Sequence, residues 1–271
     1  MKSNVCRSAT LGLVGSALVG SLFIGNTPAH ALPDEQVVQK LRSVPVFTIT
    51  DAQGAPLVAQ VNNQQNKPAS VAGVFISQRD AQSFIERLKK ENPNLGKTVQ
   101  VVPVSLGEVY KLGQAQQNKP QSLNFAFVPM QQQVQTAQAV MRQNGQQAQQ
   151  FNGVPLFVAR AGKEQGYLTI QQNNKPVIPL FFDKEQLQEM IDRFKKQKPD
   201  LASSVKIQVL NLEGVIESLR TKNDQNLNQI VLFPSRESIA FLQKLPAAGA
   251  NQPQSPQRNA APANQPQRPR R

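Results

Sequence analysis

The sequence predicts a mixed α/β fold of the α+β type, in which two copies of one β-β-β-α-β-α-β-α unit form a pseudo-two-fold body. The phrase "FIERLKKENPNL" at residues 84–95 recurs as "MIDRFKKQKPDL" at residues 190–201. The start "VPVF" at residues 44–47 likewise recurs as "VPLF" at residues 154–157. Two long copies are too few for a solenoid. Because helices and strands interleave, we expect a sheet covered by helices.

The strands are predicted from apolar periodicity. Residues 46–50 alternate in polarity, and residues 57–61 follow after a turn, which is typical of a hairpin. The continuous apolar run at residues 71–76 indicates a strand buried on both faces. The remaining predicted strands are residues 99–104 and 125–128 in the first copy and 205–210 and 230–233 in the second.

The repeated phrase is predicted to be a helix with defined ends. Ser77 is a good N-cap with Asp80 three residues later, and Asp183 takes the same place in the second copy. Pro93 and Pro199 end the two helices, because the residue before a proline disfavours helical geometry. Further helices are expected before each final strand and after it, the last two beginning near Gln131 and Ser235.

The first 31 residues are predicted to be a secretory signal peptide. Lys2 and Arg7 precede an apolar run at residues 11–25, and Ala29 and Ala31 form a small-residue cleavage site. The run is shorter than the roughly 20 residues of a membrane-spanning helix. We therefore expect export and cleavage after Ala31, with an uncleaved anchor as the alternative.

Four other segments complete the predicted organisation. A helix is expected before the first copy, a Gln-rich linker joins the copies, and the Pro- and Gln-rich basic tail should be disordered because it lacks apolar periodicity. The predicted boundaries are 32–43 for the N-terminal helix, 44–141 for repeat 1, 142–153 for the linker, 154–245 for repeat 2 and 246–271 for the tail.

Export restricts the available chemistry severely. The only cysteine, Cys6, and the only histidine, His30, both lie in the leader. The mature chain would therefore have no disulfide, no cysteine nucleophile, no histidine-based triad and no histidine-ligated zinc. We expect no catalytic residue, no metal and no cofactor.

Two weaker catalytic candidates are present in the sequence. Ser203 and Lys206 have the Ser-x-x-Lys spacing of some acyl-transfer enzymes, but they stand at the start of a strand, and accompanying motifs are missing. Glu185, Glu189 and Asp192 share one helix face, and their counterparts in the first copy do not repeat the carboxylates. A solvated helix face explains these acids better than an acid/base pair.

The chain is strongly basic, with a formal net charge of +13. Subtracting the two cations of the leader and the four arginines of the tail leaves +7 on the folded part. In an exported protein, anionic lipid headgroups, lipopolysaccharide or an acidic partner are more accessible than nucleic acid. No basic residues interleave with surface aromatics as a stacking platform would require, so we expect no nucleic-acid partner.

Doubled lysines near the helix ends are the candidates for contact with an anion or a headgroup. The alternative is that they complement the helix dipole and form i, i+4 pairs, Glu86 with Lys90 and Asp192 with Lys196. The candidates are Lys89, Lys90, Lys195 and Lys196.

The order and duplication of these motifs resemble a known family. Besides the two Val-Pro-x-Phe starts and the paired helix-proline phrases, the chain carries Asn-Lys-Pro turns at residues 66–68 and 174–176 and "GVFISQRDAQSFIERLKKENPNLG" at residues 73–96. Over about residues 35 to 245 the sequence resembles the family of the twenty-two-kilodalton intermembrane-space subunit of the Tic translocon of the chloroplast inner envelope, in its cyanobacterial form.

The resemblance implies a body with hydrophobic grooves that acts without a cofactor. Its implied activity is that of a chaperone-like factor for precursor polypeptides, including outer-membrane barrel proteins or their assembly machinery. The implied location is the periplasm or intermembrane space, with the thylakoid lumen as the alternative. The linker and the basic tail are not explained by the family.

Large apolar side chains that occur in both copies are the candidates for such grooves. Helical spacing predicts that most of them belong to the core, but the seam of a duplicated body can leave a cleft that holds unfolded chain by non-directional burial. The second hypothesis is a structural adaptor that binds anionic lipid or glycan through its basic face and tail. The groove candidates are Phe75, Phe84, Leu88, Phe181, Phe182, Met190 and Phe194.

Overall fold

The computed structural model describes residues 32–62, 68–116, 123–147, 150–222 and 224–244. The predicted signal peptide and the basic tail lie outside these ranges. The described chain begins with the helix α1 (Asp34–Leu41), which falls within the segment expected to be helical. No helix within the described ranges combines the length and the apolar character that crossing a membrane requires.

The first half follows with five strands and four helices. Its elements are β1 (Pro45–Asp51), β2 (Val58–Asn62), β3 (Pro68–Phe75), α2 (Gln78–Glu91), the short α3 (Pro93–Gly96), β4 (Val99–Ser105), α4 (Leu106–Gln116), β5 (Leu123–Val128) and α5 (Gln131–Gln143). The last of these helices extends into the segment predicted to be a linker.

The second half has a similar order with one additional short strand. Its elements are β6 (Pro155–Ala161), β7 (Gly166–Tyr167), β8 (Ile170–Gln172), β9 (Lys175–Phe181), α6 (Lys184–Gln197), a 3-10 helix (Pro199–Ser204), β10 (Lys206–Asn211), α7 (Leu212–Thr221), a second 3-10 helix (Gln225–Gln229), β11 (Ile230–Phe233) and α8 (Arg236–Lys244). The mixed α/β fold is confirmed.

Each half contributes one mixed sheet. In the first sheet β4 runs antiparallel to β1, and β5 runs parallel to β3. Because β5 occupies one edge of β3, both β1 and β2 pair with its other edge, β1 only at Phe47 and Thr48. The second sheet pairs β10 with β6 antiparallel and β11 with β9 parallel, with β8 and β6 on the other edge of β9. Strands at matching positions therefore pair in matching orientations.

The strand β3 buries both faces, as its continuous apolar run predicted, and β1, predicted from alternation, buries both faces as well. Val46 and Val74 point into one cluster, whereas their neighbours Phe47 and Phe75 point into another on the opposite face. Residues of both halves meet in the first of these, which we call the central core. The central core includes Val37, Leu41, Val46, Val74, Ile76, Leu106, Leu156, Val158, Leu180, Phe182, Leu212, Leu219 and Leu232.

The last helix of each half covers the outer face of the sheet in the other half. Helix α5, through Ala137 and Val140, packs in one cluster with Phe157 of β6 and Ile191 of α6. Helix α8 packs on the first sheet, where the Phe241 ring meets the Phe47 ring edge-on at a centroid distance of 5.2 Å. We call α5 and α8 the crossing helices.

Hydrogen bonds secure the start of α8 against α2. The Ser77 hydroxyl accepts from the Asp80 amide at 3.1 Å, so the predicted N-cap is confirmed. The same hydroxyl donates to the Glu237 carboxylate at 3.0 Å, and Glu237 also accepts from the Arg79 amide at 2.9 Å. Ser238, buried in α8, donates to the Ile76 carbonyl at 3.0 Å. The first turn of α8 is therefore held by the N-terminus of α2.

The N-terminus of α6 differs from its prediction. Asp183 stands at the N-cap position, but its side chain makes no capping hydrogen bond within α6. It accepts instead from the Arg236 amide of α8 at 2.9 Å, because the crossing helix brings a free backbone donor there. The Lys184 amide donates to the Gln133 side chain of α5 at 3.2 Å. Both crossing helices thus meet the start of α6.

The helix α1 docks on α4 through a close backbone approach at Gly107. A Cβ at this position would lie 2.6 Å from the Val38 carbonyl oxygen and 3.1 Å from the Arg42 amide. Lys40 of α1 donates to the Asn228 and Ile230 carbonyls at 2.8 and 3.1 Å. Burial lowers the pKa of Lys40. These contacts join α1 to both halves.

Substituting Gly107→Ala should displace α1 and destabilise the protein. The added methyl group overlaps backbone atoms, so we expect a loss of about 1–3 kcal/mol in the free energy of unfolding, measured by urea denaturation. The matched control is Gly113→Ala on the same helix, where a Cβ would meet the Phe125 ring at an ordinary 3.6 Å. The control should be neutral or gain up to about 1 kcal/mol from helix propensity. Equal stability of the two variants would contradict the close docking.

Truncating Phe241→Ala should weaken the packing of α8 on the first sheet. Because the ring is half-buried and forms an edge-on pair with Phe47, we expect a loss of about 2 kcal/mol in the free energy of unfolding. The neighbouring Leu242 is 38% exposed, so Leu242→Ala serves as the control and should change stability by less than about 0.5 kcal/mol. A Phe241 variant as stable as this control would show that the crossing contact does not hold the helix.

Candidate functional site

A groove with an apolar lining lies on the outer face of the second sheet, beside α6. Its volume is about 580 Å³. We call it the apolar groove. Its apolar lining consists of Leu168, Ile170, Phe181, Met190, Phe194 and Phe233, and its polar lining consists of Thr169, Gln171, Gln186, Glu189, Arg193, Gln197 and Arg236.

The strands provide the floor of the apolar groove. Phe181 of β9 and Phe233 of β11 are register partners in a parallel pair, and their rings lie 4.9 Å apart between centroids. Their neighbours Leu180 and Leu232 point the opposite way, into the central core. Because side chains alternate along a strand, β9 and β11 each place a leucine in the central core and the next residue, a phenylalanine, at the apolar groove.

The helix α6 provides one wall. Met190 and Phe194 are four residues apart, so they lie one turn above the other on the same helix face. Leu187 and Ile191 occupy the adjacent face and are buried against the sheet. Because Met190 and Phe194 are only half-buried, they present apolar surface to the groove.

Charged groups stand at the rim. Arg236 of α8 forms an ion pair with Glu189 of α6, and this carboxylate raises the pKa of the Arg236 guanidinium. The side-chain amide of Gln186 donates to the Pro234 carbonyl at 3.4 Å. Burial raises the pKa of Asp183 close by, an effect partly offset by its hydrogen bond from the Arg236 amide. The groove therefore has an apolar interior and a polar mouth.

The structure brings together three of the seven residues predicted for a groove, Phe181, Met190 and Phe194. The prediction is wrong for Phe182, which is 1% exposed in the central core. It is also wrong for Phe75, which is as buried as Phe181 but lies on the outer face of the first sheet, away from the apolar groove, with the Phe84 ring 5.6 Å away. Both are core residues because their strands are covered on both faces.

The other two predicted residues lie on α2, in the first half. Phe84 is half-buried against the cluster that contains Phe75, and the Arg87 guanidinium lies 5.9 Å from the centre of its ring. Leu88 is half-buried one turn further along. Both correspond to Met190 and Phe194 by repeat position, but they do not line the apolar groove.

The seam between the halves was expected to leave the groove, and this expectation is corrected in part. The central core fills most of the junction. A smaller groove of about 280 Å³ lies at the seam, with apolar side chains of Phe125, Phe127 and Ile216 in its lining. At its edge Tyr110 donates to Asp34 at 2.8 Å, and burial together with this bond raises the pKa of Tyr110 to about 12.

The four candidate lysines have different surroundings. Lys89 forms an ion pair with Glu86 at 2.8 Å, so the predicted partner Lys90 is wrong by one residue. Lys90 lines a groove between α2 and α8, and Lys195 lines one between α5 and α6. Lys196 is exposed, and Asp192 accepts from Gln188 at 2.9 Å instead of forming the expected lysine pair.

Sequence reasoning missed half of the apolar lining. Phe233 could have been found, because alternation along residues 230–233 places it opposite Leu232. Leu168 and Ile170 could not, since they belong to the segment around β8 whose position depends on pairing with β9. Arg236 reaches the rim of the apolar groove only because α8 crosses to the other half, and no local sequence pattern indicates that crossing.

Few groups in the described residues offer reactive chemistry. Within the ranges that the structure covers, no group of three or more His, Cys, Asp or Glu side chains is arranged to hold a metal ion. Ser203, at the end of a 3-10 helix, and Lys206, at the start of β10, are both exposed. The features that stand out are the grooves.

Two plant proteins are similar to this chain in sequence. The chain is 25% identical over 207 residues to the protein "TIC 22-like, chloroplastic" of Arabidopsis thaliana, covering 75% of this chain and 61% of that protein. It is 23% identical over 223 residues to "TIC 22, chloroplastic" of Pisum sativum, covering 80% and 81%. The chain thus spans less than two thirds of the length of the Arabidopsis relative.

A solved structure agrees with these relatives. The structure described as "Anabaena Tic22 (protein transport)" superposes with a TM-score of 0.71 at 37% identity, covering 79% of this chain and 98% of that one. The model of the Tic22-like family matches residues 9–244, which is most of the chain. On these grounds the chain belongs to the Tic22-like family.

Proposed function

We propose that this protein is an exported, non-enzymatic escort that holds precursor polypeptides during transport across a cell envelope. The observation that carries the proposal is the apolar groove, in which the half-buried Phe233, Met190 and Phe194 side chains present apolar surface inside a polar rim. The related Anabaena structure is described as a protein of protein transport, and the Arabidopsis and Pisum relatives are named as chloroplast proteins.

The chemistry of the groove fits an unfolded client. Burial of apolar surface stabilises a complex by roughly 25 cal/mol per Å² and does not require a particular client sequence. The thioether of Met190 adapts to partners of different shape. The rim, with Glu189 paired to Arg236, keeps polar groups around the opening, so an empty groove stays compatible with water.

The proposed clients are precursor polypeptides, including outer-membrane barrel proteins. A barrel strand in transit exposes alternating apolar side chains, and two or three of these fit a groove of this size. The proposed location is the periplasm or the intermembrane space, with the thylakoid lumen as the alternative. The predicted signal peptide and the chloroplast relatives support an envelope location.

We also propose that no catalysis is involved and that the two halves derive from one duplicated unit. The sequence after residue 31 contains neither cysteine nor histidine, which supports a binding function. The repeated phrases and the matching strand orientations of the two sheets support duplication.

The Met190→Ser/Phe194→Ser variant should lose the ability to suppress aggregation of an unfolded outer-membrane barrel protein. The two side chains together offer roughly 80 Å² of apolar contact, so their loss should weaken client binding by about 2 kcal/mol, or ~30-fold in Kd. Light scattering of the diluted barrel protein measures the suppression, and thermal unfolding checks that the variant stays folded.

The matched control is Leu201→Ser/Leu242→Ser, which removes two large apolar side chains that are 41% and 38% exposed and lie outside the groove. This control should suppress aggregation like the unmodified chain. If both double variants lose suppression equally, apolar surface in general holds the client. If the unmodified chain does not suppress aggregation even in stoichiometric excess, the proposed function is wrong.

A further inference from the structure

A second groove lies in the first half, between α2 and the crossing helix α8. Its volume is about 790 Å³, and we call it the basic groove. Five cationic side chains and two carboxylates line it. The charged lining consists of Arg79, Arg87, Lys90, Arg236, Lys244, Glu86 and Glu237, and the apolar lining consists of Ala240 and Phe241.

Both carboxylates of the lining already have partners outside the cationic set. Glu86 accepts from Lys89 at 2.8 Å and from Gln82 at 2.9 Å, and these hydrogen bonds lower the pKa of Glu86. Glu237 accepts from the Ser77 hydroxyl and the Arg79 amide at the N-terminus of α2. Glu86 also interacts electrostatically with Lys90, so the two carboxylates offset the five cations only in part.

The cations are compensated only in part, because Asp80 attracts Arg79 and Arg87 through space without an ion pair. Arg236 pairs with Glu189, but in the part of the chain that the structure covers no carboxylate forms a salt bridge with Arg79, Arg87, Lys90 or Lys244. Like charges on neighbouring helix positions, such as Arg87 and Lys90, are slightly destabilising. The excess of positive charge in a concave site favours an external anionic partner.

The shape of the basic groove is that of a channel. Helices α2 and α8 start at the same end, where Ser77 contacts Glu237, and Lys90 and Lys244 line its other end. With a rise of 1.5 Å per residue, the distance from Arg79 to Lys90 is about 16 Å. An extended chain of about five residues has this length. The half-buried Phe241 ring offers an apolar contact between the two charged walls.

We infer that the basic groove binds an extended acidic segment of a polypeptide, with carboxylates along the two walls and one apolar side chain against Phe241. Arg79, Arg87 and Lys90 of α2 lie along the length of such a segment, and arginine recognises carboxylates through paired N–H donors. The groove and the segment would recognise each other through opposite charges that meet across a concave surface.

The concave shape favours a peptide over a membrane. A bilayer surface is nearly flat on this scale, so it would contact the ridges of α2 and α8 and leave the side chains inside the channel unused. Arg236 lines both the basic groove and the apolar groove, so the two adjoin. One client could therefore place an apolar stretch in one groove and an acidic stretch in the other. Only this last step rests on the proposed function.

The test is a fluorescence-anisotropy titration of the full chain with a labelled pentapeptide that has four glutamates around one phenylalanine. We expect saturable binding that weakens as salt rises. The peptide with four glutamines should bind at least tenfold more weakly. The variant Arg87→Gln/Lys90→Gln should raise the Kd of the acidic peptide about tenfold.

The matched control is Lys195→Gln/Lys196→Gln, which removes the same charge from α6 outside the basic groove. It should change the Kd by less than about twofold, and because both variants keep the basic tail, their difference isolates the groove. Equal loss in both variants, or equal affinity for the glutamine peptide, would overturn the inference. Co-sedimentation with phosphatidylglycerol vesicles that depends on Arg87 and Lys90, while peptide affinity does not, would also overturn it in favour of a lipid.

The two proposals can fail separately. If Arg87→Gln/Lys90→Gln leaves the acidic peptide bound as before while Met190→Ser/Phe194→Ser abolishes suppression of aggregation, the inference fails and the proposed function stands. The opposite pair of results would support the acidic-segment site and overturn the escort function of the apolar groove.

Discussion

The structure depends on the central core, in which apolar side chains of both halves exclude water together. Strands such as β3 and β9 are apolar on both faces, so each sheet needs apolar packing against both of its faces. The inner faces share one cluster with α1, α4 and α7, since separating the halves would expose Val74, Ile76, Leu180 and Phe182 to water. The halves therefore form one packed body, although their sequences read as two copies.

The outer faces are covered by the crossing helices, and this exchange decides where grooves form. Over the first sheet α8 lies beside α2 and brings Arg236 and Lys244 to a channel that is basic. Over the second sheet α5 packs toward β6 and β10, and the apolar groove forms on the other side of α6, where Phe233 is half-buried. Two grooves of different chemistry thus arise from similar halves, because the two crossing helices carry different side chains and pack on different strands.

The sequence predicted local features well and long-range ones poorly. The Ser77 cap and the doubly buried strand at residues 71–76 were recognisable, because each depends on neighbours along the chain. The Asp183 carboxylate binds the Arg236 amide, 53 residues away, which no local pattern indicates. For the same reason helical spacing identified Met190 and Phe194 as large apolar residues, but could not separate them from the buried Phe182.

By itself, the sequence determined the mixed α/β elements, their order and the family resemblance, since apolar periodicity and capping are encoded within a few turns of chain. Only the tertiary structure decided that the final helices exchange sheets and that the apolar groove forms beside the Phe181 and Phe233 pair. The tertiary structure also decided that cationic side chains of α2 and α8 line one site, the basic groove. The physical reason is that packing and electrostatic contacts form between residues far apart in sequence. These residues come close together only when both sheets have packed around the central core.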